Sequence, residues 1–168
     1  MLLRTAQPAD AIAVADVHVR AWQEAYRGLL FDEYLDGLQV EEWAQGYRFG
    51  DVDATKPSTV LALDQDAIYG FATIGPSADE DRHGTGELLA LYVDPDRRGL
   101  GVGRALIEEA RARLARQGFR EAGLWVLVGN KRAERFYRTD GWLPDGARRP
   151  AKVAGFSVED IRYCRSLP

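Results

Sequence analysis

A glycine-rich turn that leaves an apolar strand and opens a long helix constrains the fold of this chain more than any other feature. Segment 94–105 has glycine at positions 99, 101 and 103, directly before a helical pattern begins. Glycines let the backbone expose its N–H groups to a ligand, and the first turn of the following helix adds unpaired donors at the positive end of its dipole. The turn therefore predicts an anion-binding cradle suited to a pyrophosphate group.

The residues after these glycines argue against two common nucleotide sites. A P-loop would end in lysine followed by serine or threonine, whereas Gly103 is followed by Arg104 and Ala105. The dinucleotide fingerprint requires a third glycine, and Leu106 stands at that position. A nucleotide-dependent enzyme is thus a disfavoured alternative.

Two motifs in the correct order carry a family resemblance. The first is Arg98-x-x-Gly101-x-Gly103. The second reads Asn130-x-x-Ala133-x-x-Phe136-Tyr137-x-x-x-Gly141-Trp142. Together they resemble the signatures of the GCN5-related N-acetyltransferase (GNAT) superfamily, with tryptophan in place of the usual final phenylalanine. The resemblance covers roughly residues 85–145 specifically and the remainder only by layout.

The order of predicted elements is strand, two helices, three strands, helix, strand, helix and two strands. Apolar spacing places strands at 2–6, 58–63, 68–74, 87–93 and 121–128 and helices at 8–28, in a broken region at 31–49 and from the glycine turn to Gly118. The resemblance implies an α/β fold, the GNAT acyl-CoA N-acyltransferase fold. This is a mixed, mostly antiparallel seven-stranded sheet with helices on both faces and a splay between the fourth and fifth strands. We expect one N-acetyltransferase domain over residues 1–168.

Smaller features are also predicted at this level. The long helix should bury an apolar face and expose the pairs Glu108/Arg111 and Glu109/Arg113. Residues 76–85 read as a charged loop, and the basic run at 148–152 reads as a solvated loop.

The resemblance also implies the residues that bind the cofactor, acetyl-CoA, which would serve as co-substrate. Backbone atoms of the fourth strand would pair with the pantetheine arm as with an added strand. The glycine turn would hold the pyrophosphate. The implied coenzyme A residues are Leu91, Tyr92, Val93, Arg98, Gly99, Gly101, Val102, Gly103, Arg104, Asn130, Ala133, Phe136 and Tyr137.

Two residues are candidates for catalysis. Tyr137 lies seven residues after Asn130, where the resemblance places the tyrosine that protonates the departing thiolate. Glu87 lies 11 residues before Arg98, the offset of the general base in histone acetyltransferases of the superfamily. The alternatives are an aromatic pair packed on a helix for Tyr137 and a solvent-exposed glutamate at a strand start for Glu87.

The acceptor side has weaker signals. The resemblance places the acceptor between the first two helices and the loop of the last two strands, near residues 148–156. It thereby indicates His18, Trp22 and Tyr26, a one-sided stripe on the first helix. Core packing is the alternative, and for Trp22 the preferred one. Trp125 stands where ribosomal-protein N-terminal acetylases have a glutamate, which argues against that class.

Composition excludes several partners. The net charge of −4, from 22 basic and 26 acidic residues, argues against general nucleic-acid binding. No run of 18 apolar residues or signal peptide is present, so we expect a cytoplasmic protein without membrane association. The single cysteine, Cys164, reads as a core or edge thiol, and the histidines lack metal-ligand spacing, so we expect no metal. The arginine bias suggests a bacterial source; a homodimer is left open.

The sequence therefore predicts an acetyl-CoA-dependent N-acetyltransferase acting on a primary amine of a small molecule or peptide by direct transfer. A non-catalytic acyl-CoA-binding regulatory module is the alternative, and the presence of both Glu87 and Tyr137 argues against it.

Overall fold

The structure of the chain is a computed structural model that describes residues 1–50 and 55–168. Its strands are β1 (Leu2–Thr5), β2 (Ser58–Asp64), β3 (Ala67–Pro76), β4 (Gly86–Val93), β5 (Glu121–Leu127), β6 (Leu143–Val153) and β7 (Phe156–Ser166). Its helices are α1 (Ala11–Ala25), α2 (Asp32–Asp36), α3 (Val40–Ala44), α4 (Val102–Arg116) and α5 (Lys131–Thr139). A 3-10 turn at Pro8–Asp10 precedes α1. Element order and type agree with the sequence prediction.

One seven-stranded sheet, in the order β1-β2-β3-β4-β5-β7-β6, collects all the strands. Every neighbouring pair is antiparallel except β4 and β5, which are parallel. These two strands pair only at Gly86 with Ala122 and at Glu87 with Gly123. Beyond Glu87 they diverge, so the predicted splay is confirmed and the edge of β4 is open along residues 88–93.

Helix α4 covers one face of the sheet because its apolar residues recur at helical spacing. Leu106, Ile107, Ala110 and Leu114 are buried against β2, β3 and β4, as the sequence predicts. A Cβ at Gly70 would lie only 3.0 Å from Leu106 Cδ1 and 3.2 Å from Val102 Cγ1, so glycine there allows β3 and α4 to pack closely. The helix ends at Arg116, and Gly118, with φ +92°, turns the chain away.

The opposite face of β2, β3 and β4 is covered by α1 and the segment after it. Val14 and Val17 of α1 pack on Leu61 and Phe71 in a second apolar cluster. Beyond β4, Trp125 of β5 lies opposite Arg162 of β7 in the sheet. The splay between β4 and β5 lies in the sheet between these two helical layers, and the site described below is built there.

Two of the smaller predictions are wrong. The basic run at 148–152 lies within β6, where Arg148 and Arg149 form cross-strand ion pairs with acidic residues of β7. On α4 the predicted pair Glu109/Arg113 forms at 2.7 Å. The predicted pair Glu108/Arg111 does not, because Glu108 pairs with Arg104 at 2.8 Å and Arg111 with Asp140 at 3.0 Å. No helix within residues 1–50 and 55–168 is long and apolar enough to cross a membrane.

Candidate active site

A cavity of about 400 Å³ lies where β4 and β5 diverge, bounded by the glycine turn, α4 and α5. All thirteen residues predicted to contact coenzyme A line it. Four further lining residues were missed from the sequence: Ala21, Ala25, Arg97 and Arg132. The structure thus brings the two sequence motifs together at one place.

The glycine turn is open toward this cavity. Gly99 and Gly101 adopt left-handed backbone angles, with φ of +77° and +79°, and no atom would contact a side chain built at either position. The first helical hydrogen bond of α4 runs from the Ala105 N–H to the Gly101 carbonyl, at 3.0 Å. The N–H groups of residues 102–104 therefore have no helical acceptor and mark the positive end of the helix.

Gly103 differs from the other two glycines in this turn. Its Cβ would lie 3.4 Å from the Phe136 ring and 3.6 Å from Val93 Cγ2, which is ordinary contact. The φ of Gly103 is not left-handed, so a side chain at this position would cause no backbone strain and would instead occupy space in the cavity.

Arginine side chains give the cavity a positive charge. Arg97, Arg98, Arg104 and Arg132 line it, and no acidic residue does among those described. Arg98 and Arg132 both contact Glu24 of α1, the latter at 3.3 Å. Burial, with repulsion from Arg132, lowers the pKa of Arg98 to about 10, so this side chain stays charged at neutral pH. The excess of positive charge suits a bound diphosphate.

Helix α5 presents three motif residues to the cavity because they share one helix face. The Asn130 side chain caps the helix by accepting a hydrogen bond from the Ala133 N–H at 3.2 Å. Ala133, Phe136 and Tyr137, at spacings of three and four, then face the cavity. The asparagine is thus explained locally as a cap that orients this face.

Tyr137 combines burial with an unused hydroxyl. Its ring makes edge contacts with Phe136 and Trp142, as the packing alternative expects. Its hydroxyl has no hydrogen-bond partner among the described residues, although the side chain lines the cavity. Burial raises the pKa of Tyr137, and the nearby Tyr92 adds to the rise. The phenol is therefore protonated at neutral pH and free to donate.

Glu87 is not the solvent-exposed strand glutamate of the alternative interpretation, since it is only 7% exposed. It is the last residue of β4 that pairs with β5, at the point where the splay begins. Its Oε2 accepts a hydrogen bond from the Ser77 hydroxyl at 3.1 Å. Burial raises the pKa of Glu87 and repulsion from Asp79 adds to this, while the Ser77 hydrogen bond opposes it.

The predicted acceptor residues lie together in an aromatic cluster beside the cavity. His18 lies in an aromatic cluster that also contains Trp22, Trp43, Tyr47, Phe71 and Tyr92. Its Nδ1 lies 2.6 Å from the Tyr47 hydroxyl, and burial lowers its pKa to about 3, so the ring is neutral. None of His18, Trp22 and Tyr26 lines the cavity. Tyr26 packs edge-on against Trp22, with ring centres 4.9 Å apart, and its hydroxyl lies 3.5 Å from that of Tyr92, which does line the cavity.

Weak signals for the missed lining residues are present in the sequence. Arg97 and Arg132 directly adjoin motif residues. Ala21 and Ala25 are small residues one helical turn apart on α1, beside the aromatic stripe, where a ligand can approach the helix. Within the described part of the chain, no three His, Cys, Asp or Glu side chains gather as they would around a metal ion.

Comparisons with known proteins show the family and the fold of this chain. Residues 15–142 match the model of the acetyltransferase (GNAT) family. The N-acetyltransferase YuaI of Bacillus subtilis is 30% identical over 128 residues, which cover 76% of this chain and 72% of that protein. A mycothiol acetyltransferase of Geodermatophilus obscurus is 38% identical over 84 residues; the match covers 49% of this chain but only 27% of that protein. The PaiA N-acetyltransferase of Thermoplasma acidophilum, solved with coenzyme A, has the same fold, with a TM-score of 0.75, 19% identity and 98% coverage of both chains.

Proposed function

The chain belongs to the GNAT acetyltransferase family, and from this premise we propose that it transfers the acetyl group of acetyl-CoA directly to a primary amine of a small molecule or peptide. The observation that carries the proposal is the cavity itself. Left-handed glycines, the open end of α4 and four arginines converge there with the free hydroxyl of Tyr137. An anionic diphosphate suits the part of the cavity formed by the glycines, the end of α4 and the arginines, and a thioester arm suits the part that holds the Tyr137 hydroxyl.

The residues that would hold acetyl-CoA follow from the geometry. The N–H groups of residues 102–104, with Arg98, would bind the pyrophosphate. The edge of β4 beyond Glu87 has no β5 partner, so its backbone groups are available to an extended arm. When bound, acetyl-CoA supplies an acetyl group activated as a thioester.

Two side chains of this chain would move the protons. Glu87, buried and with a raised pKa, would take a proton from the amine, directly or through water. As the new C–N bond forms and the C–S bond breaks, the Tyr137 hydroxyl would donate its proton to the departing sulfur. The proton removed from the amine and the proton given to the thiolate balance, so the step needs no further reactant.

The properties of Cys164 support direct transfer without an acyl-enzyme. Its sulfur lies 3.3 Å from Asp145, and burial raises its pKa to about 11. Because the thiolate is the nucleophilic form of cysteine, this raised pKa disfavours Cys164 as a nucleophile at neutral pH, and the side chain does not line the cavity.

The experiment that tests the proposal is thiol release from acetyl-CoA with a panel of amines. We expect free coenzyme A to form only in the presence of an accepted amine. Binding without any thiol release across diamines, amino sugars, amino acids and peptides would instead support a non-catalytic acyl-CoA-binding module.

A variant of the glycine turn tests the cofactor site separately. Gly103→Val would place methyl groups between Phe136 and Val93 in the cavity, so acetyl-CoA affinity should fall by well over tenfold with the fold intact. Gly103→Ala adds only a carbon at contact distance and should lose less. Calorimetry that finds unchanged affinity in folded Gly103→Val would refute this site.

A further inference from the structure

The loop between β3 and β4 (residues 77–85) folds over Glu87, and one carboxylate anchors it. Asp79 Oδ2 accepts hydrogen bonds from Trp125 Nε1 on β5 and from Arg162 Nη1 on β7, each at 3.1 Å. Arg162 is 7% exposed and holds two further acidic residues, Asp81 and Asp145. The loop is therefore fixed to strands on the far side of the splay.

The anchored loop carries the only side-chain donor to Glu87 among the described residues. The Ser77 hydroxyl donates to Glu87 at 3.1 Å and accepts from the Asp79 N–H at 3.3 Å. The Ser77 N–H donates to the Thr85 carbonyl at 2.9 Å, which closes the loop at its base. A continuous chain of hydrogen bonds thus runs from Trp125 through Asp79 and Ser77 to Glu87.

We propose that Asp79 and Ser77 are positioning residues, which act on the reaction through the Glu87 carboxyl group. The inference rests on the proposed role of Glu87 as the base. Asp79 opposes ionisation of Glu87 by its charge, and Ser77 favours it by donating a hydrogen bond to the carboxylate. The opposed effects keep a buried carboxyl group both oriented and basic.

The groups that face Glu87 come from two elements. The loop contributes Ser77, the Ala78 N–H and Asp79, and β6 contributes Arg149, whose charge favours ionised Glu87. Arg149 Cζ lies 4.2 Å from the Trp125 ring centre, and Arg149 Nη1 lies 3.9 Å from Asp79 Oδ1. Arg149 is therefore held by the two residues that also anchor the loop.

Two conservative substitutions separate the two effects. Asp79→Asn removes the charge but keeps an oxygen for the Trp125 N–H, so the acid limb of the kcat/KM profile should move to lower pH. Ser77→Ala removes the hydrogen bond to Glu87 and keeps the charge of Asp79, so the acid limb of the kcat/KM profile should move to higher pH. At a fixed pH on that limb, kcat/KM should fall roughly three- to tenfold. Asp81→Asn is the matched control, because Asp81 is an exposed partner of Arg162 that makes no contact with Ser77.

Titration of the Glu87 carboxyl carbon by NMR, assigned with Glu87→Gln, reports the same shifts without turnover. Opposite shifts in Asp79→Asn and Ser77→Ala, with Asp81→Asn like the parent, support the proposal. Shifts of the same sign, no shift, or equal shifts in Asp79→Asn and Asp81→Asn overturn it. A protein that releases no thiol but shows the opposed titrations would refute acetyl transfer and leave the coupling intact.

Discussion

Replacing Tyr137 by phenylalanine tests the proposed acid with a single oxygen atom. The ring packs on Phe136 and Trp142, and phenylalanine preserves these contacts. The hydroxyl has no partner among the described residues, so its removal leaves no protein group unpaired. We therefore expect the variant to fold as the parent does and to bind acetyl-CoA with the same affinity.

The size of each effect follows from this geometry. The hydroxyl faces the cavity and bonds to no described protein group, so its loss should change the free energy of unfolding by at most about 1 kcal/mol, in the stabilising direction if any. For a chain of this length that corresponds to a rise in Tm of at most about 4 °C. One acid or hydrogen-bond donor in the transition state contributes roughly 10- to 1000-fold in rate, or about 1.4 to 4 kcal/mol of barrier.

The assay compares kcat and cofactor affinity in the same variants. Because burial raises the pKa of Tyr137, the phenol stays protonated around neutral pH, and the loss in kcat should be nearly constant from pH 6 to 9. Tyr163→Phe is the control: this tyrosine is buried outside the cavity, with its hydroxyl 3.4 Å from Glu134, and should keep parental turnover. Equal kcat for Tyr137→Phe and the parent, at saturating substrate and across pH, would assign Tyr137 to packing alone.

Two further outcomes are expected. Glu87→Gln keeps size and polarity but removes basicity, so turnover near pH 7 should fall strongly and recover in part at high pH, where free amine is abundant; a parental pH profile would contradict its role. Arg162→Met removes the guanidinium that holds Asp79 and Asp145, so urea unfolding should show a loss of about 1 to 3 kcal/mol in the free energy of unfolding, and an unchanged midpoint would refute this. The Arg162 hydrogen bond lowers the pKa of Asp81. Burial raises the pKa of Asp145, but hydrogen bonds from the Ala147 N–H and then from Arg162 leave it lowered. The share that Arg162 contributes is present at neutral pH and is lost as pH falls through these depressed values, so the difference between the two proteins should shrink in acid.

The cofactor end of the site could be predicted from the sequence because local backbone requirements define it. Gly99 and Gly101 have the left-handed angles that a turn of this kind needs, and Asn130 caps the helix that it precedes. Such requirements involve residues close together in the chain, so a motif records them. Element order followed for the same reason, since apolar spacing within each segment determines which face is buried.

The surroundings of His18, Trp22 and Tyr26 could not be predicted because they are assembled from residues far apart in the chain. The spacing of His18, Trp22 and Tyr26 identifies one helix face correctly, but what that face packs against depends on Trp43, Tyr47 and the strands beneath it. The basic run in β6 was misread for a related reason. Its arginines look like loop residues until the cross-strand acids of β7 are placed beside them.

Glu87 shows most clearly how sequence-distant contacts decide chemistry. A glutamate at the start of a strand is ordinarily exposed, and nothing within β4 distinguishes this one. It becomes buried because the β3–β4 loop closes over it, and the loop closes because Asp79 bonds to side chains 46 and 83 positions further along the chain. Trp125, which the sequence marks only as a departure from one acetylase class, supplies one of these anchors. Trp125, which stands on β5 where that acetylase class has a glutamate, therefore helps to hold Glu87 of β4 in surroundings that raise its pKa.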